Sequence, residues 1–257
     1  MKQEEWIRTL RRLAWIAGLF AAAALVISAM ENKQASLASG VVVEITPLAD
    51  STLLIKEDDI LKSIDRSFGF ALEGKPLKTI DVTRLENVLE SDPLILAADV
   101  FVDARNVIHI AIEQRKPVLR IIDRNGLNYY LDKEGVKMPL SKHFTTRVLV
   151  ATGSIPPYVE DFRERDEHRL RQVYELAQTL RHDEFYSSMV EQIHLGNDGD
   201  FILVPMVGDQ RIILGSYEDV AKKLNNLKLF YREAMPYEGW RTYRTINLKY
   251  KGQVVCK

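Results

Sequence analysis

One cysteine occurs among the 257 residues, Cys256 at the penultimate position. No internal disulfide can form, and a lipid-modified cysteine near the N-terminus is excluded. An apolar core must therefore hold the folded part together, which a hydrophobic content of 46% can supply. An excess of either charge is also lacking. With 35 Lys and Arg against 36 Asp and Glu, the net charge of -1 leaves no general basic surface for nucleic acid. The five histidines, His109, His143, His168, His182 and His194, show no His-x-x-x-His spacing, and there is no Cys-x-x-Cys pair, so neither a metal nor a cofactor is expected. Nucleophile elbow, phosphate-binding loop, dinucleotide fingerprint and low-complexity tract are all missing. The acidic pairs Asp58-Asp59 and Asp132/Glu134 are explained by a helix start and a turn without acid–base chemistry. Only a set of residues assembled from distant positions would make an enzyme.

Long apolar runs are absent except for one. Leu13 to Met30 carries no charge over 18 residues. As a helix it reaches about 27 Å, close to the roughly 30 Å of a hydrocarbon core. Lys2, Arg8, Arg11 and Arg12 precede it and Lys33 follows, so the positive-inside rule keeps the N-terminus in the cytoplasm and places everything from about Glu31 outward. Trp6 and Trp15 suit the interfacial belt. A cleaved secretory signal is the competing reading, with Ser36-Leu37-Ala38 as its small-residue site. The run exceeds the roughly 7 to 15 apolar residues of such signals and the site lies well beyond its end, which favours an uncleaved anchor. Gly18 and Ala22 stand at the small-xxx-small spacing that lets membrane helices pair.

Past a short polar linker, residues 31–39, the β-branched run Val41 to Thr46 predicts a strand closed by Pro47. Ile60, Leu61, Ile64 and Phe68 fall at helical spacing and Gly69 supplies a stop; Asp81 is placed to cap a second helix striped by Val82, Leu85, Val88 and Leu89. Alternation then predicts two strands over Ala98–Val102 and Val107–Glu113, joined by an Ala104 to Asn106 turn. This strand–helix–helix–strand–strand order, closed by Glu113-Gln114-Arg115-Lys116-Pro117, resembles the POTRA module. In place of the tryptophan common after the proline that ends its second helix, Pro93 is followed here by Leu94 and Ile95. Residues 40–117 are expected to form this domain.

From Val118 onward, short strands alternate with tight turns. Leu119–Ile122, Leu127–Leu131 and Val136–Met138 form a meander around Asp123-Arg124-Asn125-Gly126 and Asp132-Lys133-Glu134-Gly135, each glycine standing where a positive φ is needed. Arg147–Ala151 adds a strand, and Leu170, Val173, Tyr174, Ala177 and Leu180 stripe a helix. Strands are expected again at Val190–Leu195, Phe201–Met206 and Arg211–Leu214. Ser216 with Asp219 reads as a capping box before a helix bearing Val220, Leu224, Leu227 and Phe230. The end is extended, Arg241–Tyr250, then Gln253–Cys256 after a Lys251-Gly252 break.

Tail 1–12, anchor 13–30, linker 31–39, POTRA-like domain 40–117 and terminal domain 118–257 together resemble the bacterial cell-division family FtsQ/DivIB. In the terminal domain the resemblance rests on Asp123, Gly126, Tyr130-Leu131-Asp132, Gly135, Pro139-Leu140, Thr152-Gly153, Thr245 to Tyr250, and Gln253-Val254-Val255. Asn247 and Lys249 stand where the family's closing strand usually has Asp and Arg. The resemblance implies an α+β chain: a single N-terminal transmembrane helix, a POTRA-like α/β domain, and a mostly antiparallel C-terminal β domain with flanking helices. It implies a scaffold of the cytoplasmic (inner) membrane at the division septum, single-pass with its bulk outside, without catalysis. Such a scaffold joins FtsB/DivIC-like and FtsL-like proteins, meets other division proteins through its POTRA-like domain and anchor, and helps control septal peptidoglycan synthesis.

A terminal strand at a sheet edge offers unpaired N–H and C=O groups to a partner strand. The expected partner-binding residues are Thr245, Ile246, Leu248, Lys249, Tyr250, Gly252, Val254 and Val255, on the premise that no later strand covers that edge. Tyr250 and Val254 are equally explained as core residues of a last strand. The other readings are a POTRA-bearing transport or secretion component, which lacks the usual repeats or barrel here, and a membrane-anchored envelope hydrolase.

Overall fold

The computed structural model describes residues 15, 18–23, 36–49, 51–239 and 242–257. The tail, most of the expected anchor and most of the linker lie outside these. Positions 18–23 are helical, and among the described residues no helix is long and apolar enough to cross a membrane. The chain divides into two units, Met1–Pro47 with Ile55–Gln114, and Leu48–Leu54 with Arg115–Lys257.

The first unit contains β1 (Gly40–Thr46), α1 (Glu57–Phe68), a 3-10 turn at Leu77–Thr79, α2 (Val82–Glu90), β2 (Ile95–Val102) and β3 (Val107–Gln114). Its sheet has the order β1-β3-β2, with β1 parallel to β3 and β2 antiparallel. Parallel neighbours need a crossover, which α1 and α2 supply. Gly69 ends α1 in the left-handed region (φ 76°), and the Asp81 carboxylate accepts the Arg84 N–H at 3.0 Å to start α2. The helical stripes, Ile60 and Ile64 on α1 with Leu85 and Leu89 on α2, share a buried core with Ile108, Ile110 and Ile112 of β3.

The second unit carries β4 (Pro117–Ile122), β5 (Asn128–Asp132), β6 (Lys137–Met138), β7 (Leu149–Gly153), α3 (Arg169–His182), α4 (Glu184–Met189), β8 (Val190–Leu195), β9 (Phe201–Pro205), β10 (Arg211–Gly215), α5 (Val220–Glu233), α6 (Met235–Glu238), β11 (Thr245–Asn247) and β12 (Val255–Cys256). Pro117, expected at the end of the first domain, opens β4. One nine-stranded sheet runs β12-β11-β10-β9-β8-β7-β4-β5-β6. The pairs β4/β7, β7/β8 and β10/β11 are parallel and the remaining pairs antiparallel. The connections β7→β8 and β10→β11 step the same way along the sheet, so right-handed crossovers place α3 and α5 on one face. There Leu170, Val173, Tyr174, Ala177 and Leu180 of α3, and Leu224, Leu227 and Tyr231 of α5, share a core with Leu119, Ile121, Ile193, Leu203, Ile212 and Ile246. Each valine, leucine or isoleucine among them contributes about 1.5–3 kcal/mol on burial.

Two local expectations need correction. Asp219 does precede α5, but in the left-handed region (φ 51°) with no cap from its side chain; the carboxylate takes Lys222 Nζ instead, at 3.1 Å. The extended segment 241–250 contributes only Thr245–Asn247 to the sheet. The short helices α4 and α6 carry no periodic pattern long enough to read from sequence.

Candidate functional site

Residues 245–257 build one end of the large sheet. β11 pairs in parallel with β10, Ile246 lying opposite Ile212. On its other side it pairs antiparallel with β12, Ile246 opposite Cys256 and Asn247 opposite Val255. Thr245 and Lys257 exchange two N–H···O bonds of 3.0 Å each. The chain reverses between them through a turn in which the Gln253 N–H donates to Tyr250 O at 3.3 Å and Gly252 has φ 70°. The premise that no later strand covers this edge is therefore overturned: β12 covers β11. The terminal edge of the sheet is β12 itself.

The expected residues separate accordingly. Ile246 and Leu248 are buried, 0% and 2% exposed, and belong to the core against the helices. Val254 and Cys256 pack partly on the same core, and burial pushes the Cys256 thiol pKa up. Tyr250, 56% exposed, and Val255, 42% exposed, present side chains to solvent. Thr245 is half-buried in the sheet and Gly252 serves the turn. Pairing alternates along an antiparallel ladder, so with Thr245/Lys257 and Asn247/Val255 as the hydrogen-bonded pairs, the N–H and C=O of Cys256 point away from β11. These backbone groups form the edge at which an added strand would bond.

Lys249 and Asn247 have partners within the chain. Asn247 Oδ1 accepts the Lys249 N–H at 2.9 Å, and Lys249 Nζ reaches Asp200 Oδ2 at 2.6 Å. The stem of Lys249 crosses Gly215, where an added Cβ would lie 2.7 Å from Lys249 Cγ. The Asp200 carboxylate raises the Lys249 pKa. Asp200 and Gly215 thus hold the closing segment against β9 and β10, a role that their distant positions in the sequence gave no sign of. The opposite edge, β6, is two residues long, with Lys137 lying over the Tyr129 and Tyr158 rings. Among the described residues no group of His, Cys, Asp and Glu is arranged to hold a metal ion.

Comparison with known proteins agrees with this architecture. The family described as FtsQ/DivIB, C-terminal related, matches residues 116–257, and the POTRA-like domain matches residues 36–113. The cell division protein FtsQ of Rhodothermus marinus is 24% identical over 188 residues, covering 72% of this chain and 68% of that relative. With the terminal match spanning more than half its length and a POTRA-like domain preceding it, this chain belongs to the FtsQ/DivIB family, whose work is cell division.

Proposed function

We propose that this protein is a non-catalytic scaffold of the division machinery, anchored by Leu13–Met30 in the cytoplasmic membrane with its C-terminal bulk outside. In this reading an FtsB- or DivIC-like partner, together with an FtsL-like protein, docks at the terminal sheet edge, and the assembly helps control septal peptidoglycan synthesis. The first unit and the anchor meet other division proteins. The observation that carries the docking reading is the outward backbone of Cys256 on β12, next to the exposed side chain of Val255, with the exposed Tyr250 in the turn that precedes β12.

The test is calorimetry of the full chain in detergent with the FtsB- or DivIC-like protein of the same organism. Cys256→Pro removes an outward N–H without touching the β11 ladder, and Tyr250→Ala removes an exposed side chain. Each is expected to weaken binding by about tenfold, roughly 1.4 kcal/mol, and the exposed Tyr250→Ala variant should do so with the thermal melt unchanged. Unaltered affinity for both variants would remove β12 as the docking edge.

A further inference from the structure

The two edges of the small sheet in the first unit are treated differently. On β2, the Asp103 N–H donates to Val107 O at 3.0 Å at the hairpin end, which sets the alternation: Asp99 and Phe101 bond inward to β3, and Ala98 and Val100 turn their N–H groups outward. Both outward groups are taken by α2. Glu90 Oε1 accepts Ala98 N–H at 3.2 Å and Glu86 Oε1 accepts Val100 N–H at 3.0 Å. Residues four apart on a helix thereby take the N–H groups of residues two apart on a strand, and the middle of that edge is covered by α2.

The same alternation, carried through β3, turns the backbone of Ile108, Ile110 and Ile112 towards β1. By the parallel register, Val42 and Glu44 then bond inward, whereas Val41, Val43 and Ile45 direct their N–H and C=O groups outward. Among the described residues nothing takes those three N–H groups. β1 is seven residues long, far more than the two of β12 or β6. The strand sequences GVVVEIT, ILAADVFV and VIHIAIEQ hold no Lys or Arg, and their solvent face exposes Glu44, Asp99 and Glu113 together with the apolar Val42 and Phe101. Glu44 and Asp99 lie in one row across the sheet, on either side of Ala111. On the opposite face, Val41, Val43 and Ile45 are half-buried at the rim of the apolar core.

We propose that the open edge of β1 is a strand-addition site for an extended partner segment that alternates basic and apolar residues. Its backbone bonds to Val41, Val43 and Ile45, its lysines or arginines lie over Glu44 and the acidic face, and its apolar side chains continue the core rim. This deepens the recruitment role given above to the first unit and is independent of the β12 edge.

The test uses the full chain in detergent and a short synthetic peptide alternating lysine and valine, with a glutamate–valine peptide as control. The lysine peptide should bind and slow amide exchange at Val41, Val43 and Ile45, leaving Ala98 and Val100 unchanged. Val43→Pro, which deletes one outward N–H and spares the β3 ladder, should weaken binding about tenfold. Glu44→Lys, which leaves the backbone intact, should weaken the lysine peptide and favour the glutamate one. Binding that survives Val43→Pro but not Glu44→Lys would reduce the site to surface charge and overturn strand addition. Equal binding of both peptides, or a dimer of the chain that Val43→Pro abolishes with no peptide bound, would also overturn it.

Discussion

Three aspartates make the same loop. In each, Oδ1 accepts the N–H groups two and four residues later: Asp103 from Arg105 and Val107 at 2.8 and 2.9 Å, Asp123 from Asn125 and Leu127 at 2.8 and 3.0 Å, and Asp132 from Glu134 and Val136 at 2.9 and 2.8 Å. The third residue after each aspartate has positive φ: Asn106 64°, Gly126 80° and Gly135 80°. Side-chain and backbone preferences agree here, so the D-x-x-G and D-x-x-N turns are legible in the order of residues alone. A Cβ at Gly126 would meet nothing within 4 Å, so its substitution isolates the backbone cost. Gly126→Ala should lose about 1–2 kcal/mol in denaturant unfolding, and Gly126→Asn clearly less, as Asn106 already illustrates. At Gly135 a Cβ would sit 2.8 Å from Arg163 Cδ and 3.1 Å from Cζ of the buried Phe162, so Gly135→Ala should cost more than Gly126→Ala, and shortening Arg163 should recover only part of the difference.

Between elements, one ion pair joins the segment just before β4 to the end of β5. Arg115 Nη1 lies 2.7 Å from Asp132 Oδ2, with side chains 17% and 2% exposed. Because Asp132 also closes its own loop and is nearly sealed from water, Asp132→Ala removes the carboxylate partner of the half-buried Arg115 and strands two backbone N–H groups. The expected loss is about 3–5 kcal/mol, read from chemical denaturation. Surface pairs such as Arg165–Asp161 should move the same measurement by less than about 1 kcal/mol. Edges are also decided at this scale. Carboxylates of α2 cover the middle of β2, β12 covers β11, and neither arrangement follows from the periodicity of the strands themselves.

For the whole molecule, the tyrosines make pH a selective probe. All ten tyrosines lie after Lys116, in the second unit. Burial raises the phenol pKa of Tyr129, Tyr186 and Tyr217 well above the ordinary range and pushes Tyr231 up to about 12. A raised pKa means that the folded state holds the proton which the unfolded chain releases near pH 10. The stabilisation is therefore complete below about pH 10 and is lost as pH rises towards the folded values. Alkaline titration should unfold the second unit first, with phenolate absorbance and loss of its circular dichroism rising together. Phenolate appearing fully near about pH 10 with the fold intact would show these rings to be solvent-accessible.

Everything readable along the chain itself is local or periodic. The stripes of α1, α2, α3 and α5, the alternation of β2, β3 and β8, the Asp-x-x-Gly turns and the lone apolar run Leu13–Met30 all arise from neighbours within a few residues, where helical or strand spacing and turn chemistry act directly. The resemblance to a division family is legible for the same reason, as a succession of such local signals. Long-range packing sets the strand order β12-β11-β10-β9-β8-β7-β4-β5-β6, the placement of Leu48–Leu54 with the second unit, the Lys249–Asp200 pair, and the burial of Ile246 and Leu248 while Tyr250 and Val255 stay exposed. Which strand ends as an edge depends on which distant strand its backbone pairs with. That choice is made by the packing of a shared core, and a strand's own sequence looks the same whether its second side is covered or open.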